Sequence, residues 1–530
     1  MSTEQADKIH IALPEWTDYQ KKNGLDPLGM QNSSVNLYQT FLPGISNVTL
    51  RIRYYGLYAW LCRTYAKTDG SNDPERWKTF VRRAEALYAL ISYRAGNQGG
   101  VAGIQWAGEK YEDTSGEVID FAAAADPDSE TKYLKQAWGA YGAAYGSQLF
   151  AIGIFWESPD HVLPVPSKTY GDRLAQIFDA ELGELASLLL ELIARGSASK
   201  VEIDRLTPIV PSEISTTGDE RAFYQDLLLS TPDEDDLSSR SRRLSLLLVL
   251  RISALLKSEP SGDQVRWVLY AGQDQNGHAL ELENPALQEQ RQRWWVYQAN
   301  DLCHIALETL LKFMLDTLGN HSTGLPLDQL ISACIDQILE VADPAPTSWS
   351  ALLQGTETSV NPYDESNELT EYMLCKDIMR GAGRRNESTC SPEIVWKAVQ
   401  LLAVLHKRVR DEEHPVEAEL GGFTSEAFQT LLTVTRFLDE HADLPLHEIL
   451  GKIIELKVVR RHLWVAGRKF RSGDYTFLIE SDEGRLRLRE KDGPVFTNPR
   501  LGPAITFLKD VHLIGDQGLT EFGEEAVSAA

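Results

Sequence analysis

Residues Asn284 to Gly319 read NPALQEQRQRWWVYQANDLCHIALETLLKFMLDTLG. Asn284-Pro285 is a start signal, because an asparagine side chain can cap the first free amides and proline fits the first helical position. Gly319 is a stop. Between them the spacing predicts one long helix running to about Leu318, with Trp294, Trp295, Leu302 and Ile305 facing inward. Cys303 and His304 are neighbours on this helix, so their side chains diverge and make a poor metal pair.

Helical periodicity extends outward in both directions. Pro74–Tyr93 places Trp77, Phe80, Val81, Ala84, Leu87, Tyr88 and Ile91 on one face. Residues 174–194 read as a further helix, and 244–256 is apolar nearly all round, which predicts a central position. Helices are also expected over 327–341, 391–411 (Ser391-Pro392 being its cap) and 425–441. Turn-rich stretches at 207–220, 230–236 and 355–368 read as linkers or loops. Past about residue 450 the pattern changes. Residues 475–480 and 485–489 are β-rich, and Asp482-Glu483-Gly484 between them is a hairpin signal. A short amphipathic helix follows Pro499, and its exit into Gly518-Leu-Thr-Glu-Phe-Gly523 looks like the end of a winged-helix domain.

The chain has 530 residues, too many for one ordinary core, and three units are expected: 1–235 and 236–450, both helical, and 451–530, a small basic β-containing module. The fold class is therefore mainly α, multi-domain, with a small carboxy-terminal α+β, winged-helix-like unit. Apolar residues make up 43% and charged residues 24%, the balance of a folded chain. No membrane span is expected, since the best candidate, 139–156, is diluted by Gly142, Gly146, Ser147 and Gln148. The first residues lack the basic and apolar regions of a secretory signal. Five scattered cysteines, mostly in apolar runs, fit a reducing cytoplasm.

The net charge of −25 repels nucleic acid and anionic membrane, so any such contact needs a local basic patch. Residues 451–500 supply one, with twelve bases against seven acids and with His462, Trp464, Phe470 and Tyr475 interleaved. Arginines neutralise phosphates and aromatic rings stack on bases. Arg460, Arg461, Arg468, Lys469 and Arg471 are the candidate phosphate contacts, with Trp464 and Phe470 as stacking partners. The competing reading is a solvated face docked on acidic surface.

Near the amino terminus, Arg51, Tyr54, Tyr55 and Tyr58 would share a face if 51–65 is helical. The expected role is structural, an aromatic core helix whose arginines pair with acids such as Glu85. Leu42-Pro-Gly-Ile-Ser46, then Arg51-Ile-Arg-Tyr-Tyr55 and the Trp60 helix, resembles the opening of uncharacterised prokaryotic proteins encoded in antiviral defence islands. Arg82-Arg83-Ala-Glu85 and the Gly99–Gly103 turn are similar in kind. The resemblance implies a context, defence against foreign DNA, and no chemistry.

Catalytic signatures are scarce. Gly96–Gly103 follows a helix and lacks the lysine of a phosphate loop, so a helix-to-helix connection is expected. No zinc motif and no Gly-x-Ser-x-Gly elbow is present. Glu455-Leu456-Lys457 would hold a metal in the manner of a Glu-x-Lys nuclease if it lay on a strand, with Asp443 or Glu448 upstream; residues 446–464 read more naturally as a basic-faced helix. The reading is thus a non-enzymatic subunit of a multi-protein complex, with no cofactor or metal, with protein partners and possible DNA or RNA. The alternatives are an acidic helical scaffold and the metal-dependent nuclease.

Overall fold

The computed structural model describes residues 26–529 except 97–98, 114–116, 158–160, 231–235, 385–386, 412–414, 424–427 and 472–473. Helices dominate. The only sheets among the described residues are four two-stranded antiparallel ladders.

The long helix forms as its sequence indicates, over Pro285–Gly319. The Asn284 side chain accepts from the amide of Ala286, and Pro285 sits in the first turn. At about 1.5 Å per residue it spans about 52 Å. Every residue from Trp294 to Leu318 is buried, because the rod is enclosed on all sides. Helices Gln31–Phe41, Leu237–Leu256, Gly262–Ala271, Leu327–Val341 and Pro392–Asp411 pack on it, as does the wide-turn helical segment Ile453–Val459. Enclosure has an energetic consequence. A polar side chain on this helix cannot reach bulk water, so it must find a partner within the protein.

In the amino-terminal part, helices Arg53–Thr68 and Pro74–Arg94 carry a cluster of stacked tyrosines, with the rings of Tyr54 and Tyr145 4.6 Å apart. The arginines pair with buried acids, as expected, but Arg51 precedes its helix and the acids are not Glu85. Arg53 binds Glu220 at 3.1 and 2.9 Å, and Arg51 binds Asp510, a residue of the carboxy-terminal helix Leu501–Asp510. Glu85 instead accepts from the hydroxyls of Tyr58 and Tyr133 and from the amides of Ala140 and Tyr141. The helix read over 174–194 is broken into Gly171–Leu182 and Leu185–Arg195. Gly183 adopts φ +52°, a turn that glycine makes at little cost.

The loop reading of 355–368 holds, and Gly96–Gly103 joins two helices as expected, although residues 97 and 98 lie outside the described residues. So do residues 231–235 of the acidic break and 425–427 at the start of the helix expected over 425–441. That helix is described from Leu431 to Glu440.

At the carboxy terminus, Leu446–Lys452, Ile453–Val459 and Arg460–Arg471 run on as continuous helix. Strands Ile479–Asp482 and Arg485–Leu488 form the expected hairpin. Glu483 and Gly484 both have positive φ, as a two-residue hairpin loop requires. The chain then lies along the long helix before entering Leu501–Asp510, a two-residue ladder and the last helix, Glu521–Ser528. Buried apolar side chains from Leu28 to Val527 join in one cluster.

Candidate functional site

The seven residues read from the sequence as a phosphate-binding patch all lie on the helix Arg460–Arg471. Its two faces differ. Arg460, Trp464, Arg468 and Arg471 follow one another at four- and three-residue steps, so they share one face, and all four are exposed. Trp464 is 43% exposed and Phe470 58%. The Arg468 guanidinium lies 5.7 Å from the Trp464 ring.

Arg461 and Lys469 turn the other way. Arg461 is buried and donates from Nε to the carbonyl of Leu28 at 2.8 Å. Gly29 makes room for it: a Cβ there would sit 2.9 Å from the guanidinium. Burial pulls Arg461 down to about 10, and the nearby Arg468 adds to this. Lys469 donates to the carbonyl of Asp26 at 3.0 Å, and burial lowers it too. These two cations therefore anchor the helix to residues 26–28. His462 faces Pro27 O with Nδ1 at 3.2 Å and accepts with Nε2 from the amide of Leu478 at 2.9 Å, so it holds the helix to residues 26–28 and to the start of the hairpin. Burial pushes this imidazole down to about 4, which keeps it neutral.

The other bases of 451–500 are mostly engaged. Arg487 pairs with Asp482, Arg489 with Glu480 and Lys491 with Asp316. Arg485 donates to Gly324 O and Arg500 to Ile45 O. Lys457 lies over the Phe437 ring at 4.6 Å. Arg460 meets Glu455 in an exposed pair, of a kind worth about 0–1 kcal/mol and readily exchanged for a phosphate. Among the described residues, Lys452, Arg468 and Arg471 have no acidic partner. On the helical run 446–471 the cations left for an outside partner are therefore four, Lys452, Arg460, Arg468 and Arg471.

Glu455 and Lys457 lie in the wide helical turn, not on a strand. Two residues apart on a helix, they point to different sides, one toward Arg460 and the other toward Phe437. The paired geometry that a Glu-x-Lys nuclease needs is not formed.

Reading along the sequence missed a second group. Tyr297, Asp301, His304, Glu308, Lys312 and Asp316 recur at three- and four-residue steps, a polar stripe on the buried long helix. Most are paired: Arg266 with Asp301 at 3.0 Å, Lys312 with Asp316 at 2.5 Å, and Lys491 with Asp316 at 2.8 Å. The strand-like run after the hairpin covers the stripe, its amides at Val495 and Thr497 donating to Glu308 and Asp301. Burial alone would push the His304 imidazole down. The Glu308 and Asp301 carboxylates outweigh it and hold the ring well above the usual histidine range. Among the described residues, Asp26, His304 and Glu308 form the group whose donor atoms could hold a metal ion. The signal for the stripe was its spacing: charged residues at helical period inside an otherwise apolar run.

No family model, curated protein or solved structure matches this chain.

Proposed function

We propose that this chain is a non-enzymatic, nucleic-acid-binding subunit of a prokaryotic antiviral defence complex. One observation carries the binding role. The outward face of Arg460–Arg471 alternates guanidinium groups with a half-exposed tryptophan, and a phenylalanine lies exposed near its end. Guanidinium groups neutralise phosphates, and the half-exposed Trp464 indole, over which the Arg461 and Arg468 guanidinium groups lie at 4.7 and 5.7 Å, offers its remaining ring area to a base. Lys452 adds a half-buried positive charge at the end of the preceding helix. The inner face is held by Arg461, His462 and Lys469, so the outer side chains project from a fixed support.

The defence context rests on the resemblance of residues 42–60. In the folded chain those residues build the core: Tyr54 and Tyr58 are buried, and the turn at 42–45 accepts from Arg500. A cytoplasmic location is supported by the five cysteines, which are all free and buried. Among the described residues no helix is long and apolar enough to cross a membrane. The winged-helix-like ending is our reading of the sequence over 499–523, where the chain forms the helix Leu501–Asp510 and a two-pair ladder.

A second reading, a scaffold that binds only proteins, is favoured by the exposed apolar side chains Leu456, Trp464 and Phe470 on this helical run. Reversing Arg468 and Arg471 to glutamate separates the two. Loss of binding to fluorescent single-stranded DNA or RNA at moderate salt supports the nucleic-acid reading. Wild-type protein that binds neither at low salt refutes it.

A further inference from the structure

We infer that Asp26, His304 and Glu308 form a binding site for a divalent transition-metal ion beneath the basic helix. The inference is independent of what that helix binds. All three residues are at least nine-tenths buried, and one donor atom from each lies within 4.8 Å of the others. Asp26 and Glu308 are each tethered through one carboxylate oxygen and have no hydrogen bond at the other, and His304 has none at either ring nitrogen. Asp26 uses Oδ1 to accept from the amides of Met30 and Gln31, while Oδ2 is buried without a partner. Glu308 uses Oε2 to accept from the Val495 amide, while Oε1 has no hydrogen bond. His304 Nε2 lies 2.8 Å from Glu308 Oε1, an ion-pair contact that is their only link, and Nδ1 has no hydrogen bond either.

Three converging buried atoms without a hydrogen bond, of which only His304 Nε2 and Glu308 Oε1 have an ion-pair contact, are costly as they stand. A cation resolves all three at once. Donors about 2.1 Å from a common ion lie about 3.0–3.4 Å apart for angles between square and tetrahedral, close to the His304–Glu308 separation. The i, i+4 spacing of His304 and Glu308 puts both ligands on one side of a rigid helix. The surroundings fit as well. Asp301 Oδ1 lies 3.5 Å from Nδ1 of His304, on the side away from Glu308, and Asp301 is itself held by Arg266. A carboxylate behind a ligating imidazole orients the ring and fixes its tautomer. One nitrogen and two carboxylate oxygens suit manganese(II) or zinc(II). Bound there, the ion would tie residues 26–30, on which Arg461 and Lys469 rest, to the long helix.

The test is isothermal titration of the chelator-stripped full-length protein with manganese(II) and with zinc(II). Metal content of the untreated protein is measured in parallel. One equivalent is expected, with a rise in melting temperature on binding. Asp26→Asn is the variant least disturbing to the fold, since its amide oxygen still serves Met30 and Gln31. It should weaken binding at least tenfold, and Asp301→Asn should weaken it by about tenfold to a hundredfold. Wild-type protein that takes up neither ion, or an Asp26→Asn variant that binds as tightly, overturns the inference and leaves a buried ion triad centred on a protonated His304.

Discussion

Lowering the pH should loosen the basic helix from its support through one residue, His462. Its imidazole bridges two distant segments, facing the Pro27 carbonyl with Nδ1 and accepting from the Leu478 amide with Nε2. Only the neutral ring with its proton on Nδ1 satisfies both. Burial moves the pKa from the ordinary 6.5 down to about 4. The sign follows directly. Between these two values the unfolded chain binds a proton that the folded chain refuses, so stability is full above pH 6.5 and falls as pH drops toward 4. That descent corresponds to about 3 kcal/mol. The assay is urea unfolding from pH 7.5 to 4, comparing wild type with His462→Gln. Other groups titrate in the same range, but they do so in both proteins, so the difference isolates the imidazole. Glutamine should cost about 1 kcal/mol at pH 7.5 through an imperfect bridge and should erase most of the extra loss at pH 4. A wild-type and variant pair that lose stability in parallel over this range would refute the tautomer and the burial argument together.

Two further substitutions probe the packing. Glu220→Gln leaves the buried Arg53 guanidinium with neutral acceptors only, the glutamine oxygen and the carbonyls of Pro208 and Val210, and the unpaired charge should cost about 3 kcal/mol in urea unfolding. Gly29→Ala places a Cβ 2.9 Å from the Arg461 guanidinium at a φ of +67°. The backbone penalty alone is about 1–2 kcal/mol, measured as a lowered melting temperature.

Much of the architecture was legible because its signals are local. Asn284, Pro285 and Gly319 mark the ends of the long helix, and Ser391-Pro392 marks another start, all through groups within a few residues of each other. Gly183 was passed over because apolar periodicity runs through it on both sides. The basic patch was legible as composition but not as a surface. Lysines and arginines on a helix are normally solvated, and nothing near Arg461 in the sequence reveals that its partner carbonyl belongs to Leu28, 433 residues away. The polar stripe from Tyr297 to Asp316 was hidden for the same reason. Asp26, Arg266 and the pair Lys491 and Thr497, which give it meaning, come from three separate parts of the chain.

The most direct test of the proposed function is the salt dependence of binding to a short fluorescent DNA duplex, measured by anisotropy from 50 to 300 mM salt. Four outward cations, Lys452, Arg460, Arg468 and Arg471, give a slope of log affinity against log salt of at most about −3.6. A slope of about −3, reduced by about 2 in Arg468→Glu with Arg471→Glu, is the expected result. Absence of binding at 50 mM salt, or a slope the double variant leaves unchanged, would contradict it.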